Sequence, residues 1–120
     1  MLAANYDITL DRAADYAFVL TIEDADGIAV DLSDAATLFY ADIRNVASKA
    51  QAVQFTATKT AGTGGIVTFK LTKVNTKLLK AGEGLYEYDI FMALGASPNT
   101  VTRRLLYGSV TVRPQFTNDV

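Results

Sequence analysis

The chain has 120 residues, 50% of them hydrophobic and 20% charged, with a formal net charge of -2. That length suits one domain, 1–120, and the composition is that of a folding chain, not a disordered one. Cys, His and Trp are absent, which excludes disulfides, thiol nucleophiles and thiolate-held zinc or iron–sulfur clusters, and removes the commonest general base and metal ligand.

In chain order, the apolar residues recur with period two. Tyr6, Ile8 and Leu10 alternate with polar residues, as do Tyr16, Phe18, Leu20 and Ile22 with Ala17, Val19 and Thr21. Each run reads as a strand with one buried and one wet face. Asp24-Ala25-Asp26-Gly27 is a hairpin signal leading to a strand at Ile28-Ala29-Val30. Asp31–Asp34 reads as a surface crossing before a strand over Leu38–Ile43. Val53, Phe55 and Ala57 mark one strand over Gln51–Lys59, and Gly62-Thr63-Gly64-Gly65 turns it into Ile66–Leu71. Thr72–Lys80 breaks the period. Val74, Leu78 and Leu79 form an apolar side that should pack on the strands, while Lys73, Lys77 and Lys80 form a basic side. Leu85–Ala93 and Thr100–Tyr107 flank Gly95–Asn99, and Gln115–Val120 reads as a polar tail. Tyr86, Tyr88, Ile90 and Met92 share one face, expected to line the core with Val110 and Val112. Gly84 and Gly108 suit a bulge or a close backbone approach, and the last strand should end at Pro114 or lie at an edge. About eight strands, one short helical crossover and turns every eight to twelve residues predict an all-β antiparallel sandwich or small barrel.

Charge is unevenly spread. Residues 1–42 carry nine acids against Arg12 alone, residues 43–82 carry seven bases and no acid, and residues 83–120 carry four acids and three bases. Acidic and basic segments lying side by side would neutralise each other within the domain. The alternative is an acidic and a basic face that meet between copies, head to tail.

Catalytic and ligand motifs fit poorly. Placing Gly27 at position six of a calcium loop puts Ile22 and Ser33 where the anchoring oxygen ligands belong. The glycines at 62–65 lead into a strand, not the helix a phosphate loop needs. Glu87 and Asp89 share a strand face, an ordinary wet arrangement without a second carboxylate pair. Arg103, Arg104 and the Lys70–Lys80 cluster do not interleave with exposed aromatics, so nucleic acid is not the expected partner. No catalytic residue, cofactor or metal is expected. The first residues, Met1–Asn5, lack the basic and apolar regions of a secretory leader, and no run approaches the roughly 18 apolar residues of a membrane helix.

The segments Gly84-Leu85-Tyr86-Glu87-Tyr88-Asp89 and Leu106-Tyr107-Gly108-Ser109-Val110-Thr111-Val112-Arg113-Pro114 carry a family pattern, with Tyr6-Asp7-Ile8-Thr9-Leu10 and Asp15-Tyr16 as its opening. The chain resembles small tailed-phage virion proteins, and is similar to the N-terminal module of phage baseplate upper proteins. The resemblance implies an immunoglobulin-like β-sandwich. It also implies a non-enzymatic virion component, of the tail, the baseplate or a capsid-decorating cement layer, whose partners are other virion proteins and copies of itself. It carries no catalytic residue. Lys73, Lys77, Lys80, Arg103, Arg104, Tyr107 and Phe116 are the candidate interface residues. The alternative is a carbohydrate- or protein-binding sandwich module, which needs exposed aromatics; Tyr40, Tyr107 and Phe116 are the candidates.

Overall fold

The computed structural model describes residues 4–23, 26–30, 32, 37–59, 64–94 and 101–117, with backbone alone for Leu94 and Val101. The described elements are β1 (Ala4–Asn5), β2 (Ile8–Asp11), β3 (Tyr16–Thr21), β4 (Leu38–Asn45), β5 (Gln51–Gln54), β6 (Thr56–Lys59), β7 (Ile66–Leu71), α1 (Lys73–Lys77), β8 (Gly82–Leu94) and β9 (Val101–Arg113). They form two sheets. One has the order β1-β9-β8-β4-β5, with β2 also on β9; the other has the order β3-β7-β6.

The all-β expectation holds, with two differences in the strands. The larger sheet is mixed, not antiparallel, because β1 and β2 run parallel to β9. β2 must deliver the chain to a turn over residues 12–15 that is bonded to α1, and β9 finishes at that same end, so both strands run the same way. Nine strands are described, not eight. The expected strand over 51–59 is two: β5 pairs with β4, and β6 pairs with β7 in the other sheet. Phe55 sits at the switch. Its N–H donates to the Ala41 carbonyl at 2.9 Å, and its ring is buried. Val53 and Phe55 both point inward across the switch, so the alternation survives while the pairing partner changes. Ile28–Val30 is not a strand; Ala29 forms an isolated bridge with Glu23, and Val30 N–H donates to the Ile22 carbonyl. Of the expected turns, Gly62 and Thr63 and all of Gly95–Asn99 lie outside the described residues, as do Asp24, Ala25, Asp31, Ser33 and Asp34.

The two sheets share one apolar core. Phe69 is fully buried on the smaller sheet. Its ring stacks on Phe18 (centroids 5.3 Å apart) and meets Phe39 of the larger sheet edge-on at 5.8 Å. Phe55 bridges Phe18 and Tyr88. The expected inner row of β8, Tyr86, Tyr88, Ile90 and Met92, is buried, as are Val110 and Val112. Each inner tyrosine places its hydroxyl on backbone: Tyr86 accepts from the Lys80 N–H at 2.8 Å, and Tyr88 donates to the Tyr6 carbonyl. Burial pushes the Tyr88 phenol well above its ordinary range. Gly84, at φ +72°, lies in a shift of the β8–β9 register. β9 ends one residue before Pro114.

The expected apolar side of Thr72–Lys80 is buried only at Leu79. Val74 and Leu78 are 64% and 66% exposed, whereas Thr76 and Leu79 are buried. The helix is held to the 12–15 turn by polar bonds instead of an apolar face. Thr76 donates to the Ala14 carbonyl at 3.0 Å, and Asp15 accepts from the Lys73 N–H at 2.8 Å. Arg12 donates to the Lys77 and Leu79 carbonyls. Thr72 and Asn75 close a reciprocal cap at the start. The side of the helix that meets the protein is therefore the one that can hydrogen-bond, and the apolar pair is left facing out.

Candidate functional site

The candidate interface residues, Arg103 apart, fall on two surfaces. The first is the outer face of the larger sheet. Alternation turns Tyr40, Asp42 and Arg44 of β4 outward, and the ladder lays them beside Phe91, Asp89 and Glu87 of β8. Those in turn lie beside Arg104, Tyr107 and Ser109 of β9. All of these except Tyr40 and Phe91 line a shallow concavity of about 570 Å³, together with Asn5 and Val46. Its charges are paired. Arg44 meets Asp42 at 3.2 Å, Lys49 meets Glu87 at 2.9 Å, and Arg104 meets Asp89 at 3.5 Å. The Arg104 guanidinium also lies 4.6 Å over the Tyr107 ring. Arg103, one residue earlier, is exposed.

Asp89 sits at the middle of this face. Burial raises its carboxyl above the ordinary range against the opposing pull of Arg104, and the nearby Asp42 and Glu87 charges raise it further. The folded sheet therefore accommodates the ionised form less well than the unfolded chain does. The contribution of Asp89 to stability is full below the ordinary carboxylate range and declines as pH rises through the raised folded value. Thermal melts of the protein and of Asp89→Asn should show the variant gaining on the parent between about pH 3 and about pH 7. A variant whose melting temperature falls relative to the parent's as pH rises would contradict this.

The second surface is the α1 corner. Lys77, Leu78 and Lys80 border a concavity of about 380 Å³ with Pro114 and Gln115. Lys73 and Val74 are exposed on the same short helix. Phe116, next along the chain from Gln115, is 93% exposed. The structure thus brings Lys77 and Lys80 to the Pro114–Gln115 segment, and separates them from Arg104 and Tyr107. The basic side foreseen for Thr72–Lys80 exists, with an exposed apolar pair within it.

Sequence reading missed Asp42, Arg44 and Lys49 as members of the outer face. Opposite charges two apart on one strand, Asp42 and Arg44, were the available signal. It also missed Arg12, whose signal is that it is the one base among the first 42 residues. Among the described residues, no group of three acidic, His or Cys side chains is placed to hold a metal ion. No helix among them is long and apolar enough to cross a membrane. No family model matches the chain, and no curated protein matches it in sequence.

Proposed function

We propose that the chain is a non-enzymatic structural module of a tailed-phage virion, an immunoglobulin-like sandwich that works by docking to other virion proteins and to copies of itself. The observation that carries the reading is the strand order. A five-strand path, β1-β9-β8-β4-β5, faces a three-strand sheet, β3-β7-β6. This order supports an immunoglobulin-like reading of the variable type, with the first strand set on the last. Tyr86, early in β8 and bonded to the Lys80 N–H six residues upstream, supports it as the counterpart of the tyrosine corner. The chain lacks the inter-sheet disulfide and the Trp of antibody domains; the Phe18, Phe39, Phe55 and Phe69 rings pack together between its sheets. The two segments that resemble virion proteins lie side by side as β8 and β9.

Particles purified from the host that carries the gene should contain the chain, as read by peptide mass spectrometry. Its absence from intact particles would overturn the reading. Reversing Lys73, Lys77 and Lys80 to Glu should lower incorporation while leaving the melting temperature close to the parent's. Glu suits the first turn at 73 and is unfavourable at 77, by about 0.3–1 kcal/mol each way.

One observation favours a second reading, a carbohydrate- or protein-binding module. Tyr40, 49% exposed, and Tyr107 lie on the same outer sheet face. A glycan array that binds the protein and loses binding with Tyr40→Ala would support it, and a blank array would remove the sugar-binding form of this reading.

A further inference from the structure

The four sheet edges are not alike. β5 is four residues long, with a register shift in its pairing to β4. β6 is four residues long and ends in Lys59. The edge over β9 is split into β1 and β2 by Tyr6-Asp7, and carries Asp11. Short length, bulges and charge are the means by which sheet edges avoid pairing with other chains. β3 has none of them. Tyr16-Ala17-Phe18-Val19-Leu20-Thr21 is an unbroken six-residue edge without charge, proline or register shift.

Its outward hydrogen-bonding groups can be named. Ile22 N–H donates to the Gly65 carbonyl at 2.7 Å, which fixes the phase of the β3–β7 ladder. Bonded and non-bonded pairs alternate in an antiparallel ladder. Tyr16, Phe18 and Leu20 therefore bond to β7, while Ala17, Val19 and Thr21 turn their N–H and C=O groups to the open side. Among the described residues, nothing pairs with those groups. The Val19 side chain is 63% exposed on the outer face of the sheet.

We infer that β3 is a dimerisation edge, on which a second copy of this chain adds its own β3 antiparallel about a two-fold axis. This rests only on the edge and stands apart from the virion reading. Of the registers that satisfy outward groups, two keep five residues of each β3 (Tyr16–Thr21) paired with the other. With Val19 opposite Val19 of the second copy, Asp15 faces Glu23 of that copy, like charge against like. With Phe18 opposite Phe18 of the second copy, Ala17 meets Val19, the half-buried rings pair on the inner face, and Asp15 faces Thr21. Charge and side-chain size both select the second register. A self-complementary, uncharged edge is matched by the same edge of another copy, and the three-stranded sheet becomes one of six strands.

Light scattering over a concentration series should give twice the 12.9 kDa chain mass, unchanged between about 0.05 and about 0.5 M salt, because backbone pairing is little screened. Val19→Pro removes an N–H that the β7 ladder does not use, and proline is tolerated at such edge positions. It should give a monomer with the parent's circular dichroism. Val19→Lys, an exposed substitution, should give the same monomer and serves if the proline variant folds poorly. A parent monomeric at every concentration would overturn the inference. So would a dimer that survives both variants, or an assembly that dissolves in salt, which would belong to the lysine surface.

Discussion

Phe69→Ala is expected to cost about 3–5 kcal/mol, the usual loss for truncating a buried aromatic ring. Against a total stability of roughly 5–15 kcal/mol, that is a large share. The reason lies in what the ring joins. Phe69 is fully buried and touches Phe18 on its own sheet, Phe39 on the other, and Phe55 where the chain changes sheets. Its loss would leave a void at the one point where all three parts meet. Urea titration followed by circular dichroism measures it, with Phe69→Leu as the comparison that keeps most of the volume. A loss below about 1.5 kcal/mol for the alanine variant would mean that the rings close over the void more readily than packed interiors normally do.

Gly108→Ala should detach the first two strands. A Cβ built on Gly108 would lie 2.3 Å from the Tyr6 carbonyl oxygen and 2.9 Å from Asp7 Oδ1. Backbone cannot yield as a side-chain tip does, and this backbone is held from three sides. Tyr6 N–H donates to the Tyr107 carbonyl at 2.9 Å, and Ser109 N–H donates to Asp7 Oδ1 at 2.9 Å. Tyr88 holds the Tyr6 carbonyl itself. The expected loss is about 3 kcal/mol or more, at the upper end for overpacking, and Ile8 and Leu10 would lose their burial. Amide exchange at residues 8–11 should quicken far more than exchange in β4 or β7. Gly84→Ala is the contrast: nothing lies within 4 Å of its Cβ, so only its positive φ is strained, worth about 1 kcal/mol. Equal losses at the two glycines would sink the steric account.

Much of this architecture was written in local pattern. The period-two alternation located the strands because one face of each is buried, and it gave the inner row of β8 correctly. Gly108 was legible as a close approach, though what approaches it was not, since Tyr6 lies about a hundred residues away. Long-range choices were hidden for the same reason. Val53, Phe55 and Ala57 alternate without a break, so nothing in them announces that β5 and β6 belong to different sheets. The parallel set of β1 and β2 depends on where α1 anchors the 12–15 turn. At α1 the pattern misled, because apolarity was taken to mark the buried side, whereas Thr76 and Arg12 hold the helix by hydrogen bonds. Of the surfaces, the lysines were visible as a run, but the ion pairs across β4, β8 and β9 join residues from three distant segments. The open side of β3 could not be read at all, since it depends on which strands end up beside it.

The pairing of β1 and β2 with β9 also sets when the protein can exist. Ile8 lies opposite Val110 and Leu10 opposite Val112, so β1 and β2 wait for β9, about a hundred residues further along the chain. Until then β9 is missing between β8 and the N-terminal segment, and the larger sheet is cut short. Folding of the larger sheet is therefore expected to wait for synthesis of β9, and to fall in the slow, millisecond-to-second range of non-local β topologies. Throughout that interval the uncharged β3 edge is exposed while the larger sheet is incomplete. Crowded expression should send chains into aggregates through that segment first, and slower synthesis at lower temperature should recover more soluble protein.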